Sequence, residues 1–395
     1  MKFNLCIVLE RLKEVESKEL LKLLDFLGGW PVLQKYNWKE NDFSWEKTII
    51  KLHEFVGIGE KENNFRTKAT EKTYSKVQSE NKKSSDTKEQ TDSEDESKLI
   101  EIYPEFMFEM ALLLGAEDSN ETKQELFDAL ELGIALNQLL NGKKFKSQSK
   151  VLDVNELQIE LDTLKWLELF DRFKLEKVDS FILNKNIHVY DNLKKLKEIF
   201  KPRDFANYLL WRVVDFSSLF LHSAVLDHVF KLNKQTYGLL DKEQRWKYCT
   251  RIANKYAELA TGSLYVREYF PNESRTNALN MANKLIEEFN RTLVEEAQWM
   301  DKDTLQQATE QLKTLKVFMG YDEQLLDYKK VENYYGKPKK DFSESFLYLG
   351  VQLNVQKTDK RFKHKFRNER DWTEYAKPTS SKASYNSRDH TICKF

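Results

Sequence analysis

Apolar residues in this chain recur mostly every three or four positions, a spacing that lays them along one face of a helix. Leu5, Val8, Leu12 and Val15 form such a stripe, and Leu20, Leu21, Leu24 and Leu27 continue it after a polar interval at Glu16-Ser17-Lys18. Gly28-Gly29 stops this helix and Pro31 keeps it from resuming. Ser44 caps a helix through Trp45, Ile49, Leu52 and Phe55 that ends at Gly57. Pro104 opens another, with Phe106, Met107, Met110, Leu113 and Leu114 before Gly115. Ser119 or Asn120 caps a long helix through Leu126, Phe127, Leu130, Ile134 and Leu140, closed by Asn141-Gly142. Two short helices are expected between 153 and 175, with Trp166 and Phe170 inward. Ile252, Tyr256 and Leu259 mark a helix broken at Gly262, and Leu285, Ile286, Phe289 and Leu293 mark the next. Asp301 or Asp303 caps a third that Gly320 closes, and residues 344–354 carry a further apolar helix. Only Phe181-Ile182-Leu183 and Ile187-His188-Val189-Tyr190 read as strands, and both are short.

Residues 60–98 break the pattern. Charged residues with Ser, Thr, Asn and Gln make up nearly all of this stretch. It cannot bury enough apolar area to offset roughly 1–2 kcal/mol of backbone entropy per residue, so it is expected to be a disordered insert. A solvated linker is the plain reading and a charged recognition segment the functional alternative.

Composition sharpens this picture. In 395 residues there are 12 Gly and 6 Pro, too few for a many-turned sheet protein, and 13% aromatic residues, ample for a core. Lys plus Arg equals Asp plus Glu at 64 each, so no global field favours nucleic acid. No apolar run of about 18 residues is present, so no membrane span is expected. The start, with one early lysine and an apolar patch that meets charge after Leu9, is not expected to act as a signal peptide. The three cysteines are Cys6, Cys249 and Cys393. Asn120-Glu-Thr122, Asn272-Glu-Ser274 and Asn290-Arg-Thr292 are candidate glycosylation acceptors if the chain is secreted.

Several local motifs, in their order and spacing, carry a resemblance. Gly28-Gly29-Trp30-Pro31 comes first, followed by Arg203-Asp204-Phe205-Ala206-Asn207-Tyr208-Leu209-Leu210-Trp211. Arg245-Trp246 with Cys249, Ala260-Thr261-Gly262-Ser263-Leu264-Tyr265-Val266, Phe270, Trp299-Met300-Asp301 with Thr304 and Ala308, and Gly320-Tyr321 complete the set. Together they resemble the neprilysin family of zinc metallopeptidases, amino-terminal half. The resemblance implies a mainly α, multi-helix cap domain of the neprilysin type, which in the family encloses the substrate cavity and limits substrate size. It implies 1–59 as the start of that helical domain, 60–98 as the insert, 99–375 as the main cap and 376–395 as an edge-strand region and tail. It also implies a disulfide between Cys6 and Cys249, leaving Cys393 over.

The family reaction is zinc-dependent hydrolysis of small peptides, and zinc is held by His-Glu-x-x-His on a helix, two imidazoles one turn apart with a glutamate that polarises the metal-bound water. The six histidines here are His53, His188, His222, His228, His364 and His390, and no two stand four apart. His53-Glu54-Phe55-Val56-Gly57 is the nearest imitation, with glycine where the second ligand must be, and His53 is expected on a helix surface. No catalytic and no metal residues are therefore expected, and no cofactor in this chain. Lys382-Ala383-Ser384-Tyr385-Asn386 aligns with the family's substrate-binding edge strand, Trp372 with a tryptophan just before it, and Ala383 with the residue whose carbonyl contacts substrate. Lysine replaces the family's asparagine at 382 and cannot copy its two-sided amide contact.

No Gly-x-Ser-x-Gly elbow or Walker loop occurs, and Gly57-Ile58-Gly59 lacks the third glycine of a dinucleotide loop. Three functional readings stay open: a truncated or degenerate homologue without catalysis, a fragment of an active metalloendopeptidase completed by a carboxy-terminal half, and a helical interaction scaffold. Expected partners are peptides, a catalytic half, or a second copy through exposed cap surface. The family is extracellular or anchored in the plasma membrane; the sequence itself assigns no compartment.

Overall fold

The computed structural model describes residues 13–57, 93–141, 150–152, 154–160, 167, 181–183, 187–239, 241–297, 299–336, 345–366, 372–375, 378–379, 383–387 and 390–394. In chain order the elements are α1 (Lys13–Phe26), α2 (Pro31–Gln34), α3 (Trp45–Val56), α4 (Ser93–Leu113), α5 (Asn120–Asn141), β1 (Lys150–Leu152), α6 (Val154–Glu160), β2 (Phe181–Leu183), α7 (Ile187–Ile199), α8 (Pro202–Ser217) and α9 (Ser223–Tyr237). There follow α10 (Arg245–Tyr256), α11 (Glu258–Tyr269), α12 (Asn272–Glu296), α13 (Lys302–Lys313), β3 (Lys316–Met319), α14 (Tyr328–Tyr335), α15 (Phe346–Phe366), β4 (Ala383–Asn386) and β5 (Thr391–Lys394). The class is mainly α, as the spacing predicts. The chain divides into two compact units, residues 1–245 with 342–362, and residues 246–341 with 363–395.

The first unit is arranged around α8. Phe205, Ala206, Leu209, Leu210, Trp211, Val213, Val214 and Phe216 are all buried, so this helix is apolar nearly all round and is covered on all sides. It packs on α1, α2, α3 and α5. Pro202 starts it with a preset φ, and the Asp204 carboxylate accepts from the Lys201 backbone N–H at 2.8 Å. Trp211 meets Tyr103 and Phe106 edge-on, with ring centroids 6.2 and 5.7 Å away, and donates its indole N–H to the Tyr103 hydroxyl. Trp30, almost fully buried, lies 6.3 Å from the same indole.

A polar clamp sets the position of the Trp30 turn. Gly28 and Gly29 adopt φ of 121° and 77°, which a side chain would resist. The segment that follows is held by α8: Asn207 Oδ1 accepts from the Val32 N–H at 3.2 Å, and Arg203 donates to the Pro31 and Lys35 carbonyls at 3.2 Å each. Glu125 of α5 closes the network, accepting from Arg203 at 2.9 Å and from Asn207 at 3.1 Å. A second pin ties distant parts of this unit. Asn354 Nδ2 donates to the Val56 and Gly57 carbonyls at 2.9 and 3.0 Å, and the Thr358 hydroxyl donates to Gly57 at 2.8 Å. Gly57 has φ 71°, and a Cβ there would lie 2.6 Å from the Val355 nitrogen, so the αL cap and the close approach both require glycine.

The second unit has its own core of Leu259, Val266, Tyr321, Leu325 and Val331, with Phe270, Tyr335 and Trp372 packed against it. Gly262 does not break a helix as expected. It lies inside α11, where a Cβ would come 3.0 Å from Pro378, so the residue serves close packing. The Tyr335 hydroxyl accepts from the Leu259 N–H at 3.1 Å and satisfies one free donor at the start of α11. Asp301 caps α13 by accepting from the Thr304 N–H at 2.8 Å. The sheet here has the order β3-β5-β4, with β3 parallel and β4 antiparallel to β5.

Other expectations are corrected. Ile187–Tyr190 is the start of α7 and not a strand; Ile187, Tyr190, Leu193, Leu196 and Ile199 repeat every three residues, and that longer stripe outweighs local β-propensity. Pro104 lies inside α4, where it lacks the N–H that would reach the Ile100 carbonyl, and does not open the helix. α4 begins at Ser93, within the stretch 60–98 expected as an insert; residues 58–92 lie outside the described residues. Of the pair expected within 153–175, α6 is described, and Trp166 and Phe170 lie outside. β3 was not foreseen: Gly320, at φ 76°, ends this strand and not α13.

Asn207→Ala removes the acceptor for Val32 and the donor to one Glu125 oxygen, while Arg203 keeps the other. The expected loss is about 1–3 kcal/mol in urea denaturation, with the m-value unchanged. A loss below a few tenths of a kcal/mol would show that the clamp is ornamental.

Candidate functional site

A strand forms at the position where the resemblance places an edge strand. β4 pairs antiparallel with β5 from Ala383 opposite Lys394 to Asn386 opposite Thr391, and among the described residues its other edge has no strand partner. Ala383, Ser384 and Tyr385 are exposed. The hairpin is braced at its turn: His390 Nδ1 lies 2.8 Å from the Thr314 hydroxyl, and its ring meets Tyr385 edge-on with centroids 6.0 Å apart. β5 is the inner strand, with Thr391 and Cys393 buried; Cys393 is in no disulfide. An edge strand of this kind offers backbone N–H and C=O groups to an extended peptide. Lys382 lies outside the described residues.

The histidines are dispersed. His53, expected at a helix surface, is buried on α3. Burial lowers its imidazole below the ordinary value, and the charges of Asp359 and Glu54 oppose that shift only in part. Four residues on, Gly57 occupies a left-handed cap against the 354–355 backbone, so the position of a second zinc ligand has no room for a side chain. His228 on α9 contacts Glu109 of α4 at 2.7 Å, and Lys231 one turn later contacts the same carboxylate at 2.6 Å. Burial acts to raise the Glu109 carboxyl, but the hydrogen bonds from Lys231 and His228 outweigh it and hold the group below its usual range. This tie between α4 and α9 was not anticipated. Its signal is two complementary pairs at helical spacing, Glu105 with Glu109 and His228 with Lys231. His188 and His364 lie on α7 and α15, and His222 precedes α9. Among the described residues no group of three or more His, Cys, Asp or Glu is placed to hold a metal ion.

Asn120 and Asn272 are exposed at the first positions of α5 and α12. Asn290 lies within α12, half-buried, with its side-chain oxygen buried. Cys249 is buried on α10, and Cys6 lies outside the described residues.

A family model described as peptidase family M13 matches residues 2–322. The chain belongs to peptidase family M13. This M13 chain is 26% identical over 426 residues to Neprilysin-2 of Drosophila melanogaster, covering 99% of itself and 53% of that protein. It is 22% identical over 386 residues to Endothelin-converting enzyme 1 of Rattus norvegicus, covering 89% of itself and 48% of the relative. Among solved structures, PepO from Lactobacillus rhamnosis HN001 shares its fold with a TM-score of 0.67 at 14% identity, over 99% of this chain and 60% of that one. Zinc metalloprotease Zmp1 of Mycobacterium tuberculosis, in complex with inhibitor, gives a TM-score of 0.59 at 15% identity, over 98% of this chain and 63% of that one. The M13 chain spans about half the length of the curated relatives it matches, 53% and 48% for the two named. It corresponds to the amino-terminal half of neprilysin-type peptidases.

The buried His53 predicts a pH dependence. Its folded pKa lies below the ordinary 6.5, so between the two values the unfolded chain binds the proton more tightly. Stability therefore rises with pH through that window and is lost as pH falls through it. His53→Asn removes the titrating group, and urea midpoints at pH 5 and pH 7 should differ less in the variant than in the native chain. An equal difference in both would show that His53 stays neutral or exposed in either state.

Proposed function

We propose that this chain is the helical, substrate-enclosing half of an M13 peptidase and does not hydrolyse peptides by itself. One observation carries the reading: the family match extends over residues 2–322, yet among the six histidines no pair has the i, i+4 spacing that zinc requires on one helix. The family reaction, zinc-dependent endopeptidase cleavage of small peptides, then depends on ligands supplied from a carboxy-terminal half. The exposed edge of β4 supports a role in holding an extended peptide, with the Ala383 carbonyl as the contact that the family resemblance assigns. A second reading, a piece of an active metalloendopeptidase, is favoured by the 53% and 48% of the relatives' lengths that the chain covers. The two readings share the prediction for the isolated chain.

The full chain with added zinc should give no turnover of a fluorogenic peptide above buffer. Co-expression with a carboxy-terminal half bearing His-Glu-x-x-His should give turnover that a chelator abolishes. Chelator-sensitive turnover by the 395 residues alone overturns the proposal.

We also propose the Cys6–Cys249 disulfide. Cys249 is buried on α10, and among the described residues Cys393 is the cysteine outside any disulfide. Non-reducing peptide mass mapping of protein secreted through an oxidising compartment should recover the Cys6 and Cys249 peptides linked. Reduction should destabilise the fold by about 2–5 kcal/mol. Recovery of both peptides with free thiols contradicts the pairing.

A further inference from the structure

α12 spans 25 residues, about 37 Å at 1.5 Å per residue, and none of its residues is buried. One side, with Ala282, Ile286 and Leu293, is half-covered; the helix contacts α13 and β3 of its own unit. The other side presents Met281, Leu285 and Phe289 at 67%, 67% and 55% exposure. These three stand four residues apart, so they form one continuous row, inclined to the helix axis. A soluble chain gains by covering such a stripe.

The stripe is symmetric about its middle residue. When a second α12 lies antiparallel with the two-fold axis at Leu285, Leu285 meets Leu285 of the other copy and Met281 meets Phe289 at both ends. Charge decides in favour of this arrangement. Lys284 and Glu288 lie on the same flank of the stripe, one turn apart, and an antiparallel pair brings like flanks together. Helical side chains lean toward their own N-terminus. That lean brings Lys284 level with Glu288 of the other copy and carries the two Lys284 side chains apart. Glu288 is already held in line by Arg291, which also engages Glu295 at 2.6 Å, so its carboxylate is ordered before association.

We propose that α12 is a self-association face, on which a second copy of this chain docks antiparallel about Leu285. Three apolar side chains per copy make a small contact, so the dimer is weak and concentration-dependent.

The test uses the full chain. Sedimentation equilibrium should show a monomer–dimer exchange that Lys284→Glu and Glu288→Lys each weaken by on the order of tenfold. Mixing the two variants should restore association as a heterodimer, because each Glu then faces a Lys. Neither substitution lies in the core, and circular dichroism verifies that the helix content is kept. In parallel, Leu285→Cys should cross-link to itself under mild oxidant. Asn272→Cys should not, since that residue is thirteen positions from the axis and meets its counterpart only across about 39 Å. A chain that stays monomeric at millimolar concentration overturns the proposal. So does a dimer indifferent to both charge swaps, or one that cross-links equally in the Asn272→Cys and Leu285→Cys variants. Capture of α12 by a carboxy-terminal half that abolishes self-association also counts against it.

Discussion

The position of the Trp30 turn depends on three polar side chains, Asn207, Arg203 and Glu125, set against an apolar core. Asn207, fully buried on α8, can offer its amide to the Val32 N–H and to Glu125 only if α2, α5 and α8 hold one arrangement. Arg203 adds two carbonyls of the same segment and the second Glu125 oxygen. Apolar packing alone would tolerate sliding of these helices, since the contacts among Trp30, Trp211, Tyr103 and Phe106 are broad. The hydrogen bonds are directional and costly to leave unmade in a dry interior. They turn a collapsed helical set into one register.

The other unit follows the same logic with different parts. Its core is small, and the connections around it are set by backbone partners: the Tyr335 hydroxyl at the start of α11, Asp301 at the start of α13, and Arg275, whose guanidinium lies over the Tyr321 ring and donates to the Met319 carbonyl at 3.3 Å. Gly262 and Gly320 mark the places where Pro378 and Phe270 come too close for a side chain. These contacts position β3, β5 and β4 in one sheet and leave the Ala383 strand at its margin.

Much of this could be read before any coordinates. Caps were legible because a cap is local: Ser44, Gly57, Ser119 and Asp301 all act where their residue types predict. The errors share one cause, that tertiary partners decide between local options. Ile187–Tyr190 has strand-forming residues but belongs to a longer helical stripe. Lys316–Met319 offers only Val317 and Phe318 as strand formers and becomes a strand because Thr391–Lys394 lies alongside. Gly262 looks like a helix breaker and is a packing residue. The Glu109–His228–Lys231 tie joins residues about 120 positions apart: each helix shows its own paired spacing, but only the fold brings α4 against α9. The edge strand was legible from the family resemblance, and its exposure required the structure.

The chemical account is one of separation. The amino-terminal helical half of an M13 peptidase is built here, while no two of the six histidines have the i, i+4 spacing of a zinc-gripping pair. Where His53 and Glu54 imitate the start of such a pair, the fold uses the next turn for a glycine cap locked against α15, and burial holds the imidazole pKa below its ordinary value. The most direct measurement is a zinc titration of the purified full chain by calorimetry, with metal content determined after gel filtration. The account predicts no stoichiometric site and no retained metal. A tight, stoichiometric zinc that vanishes on replacing a histidine would contradict it.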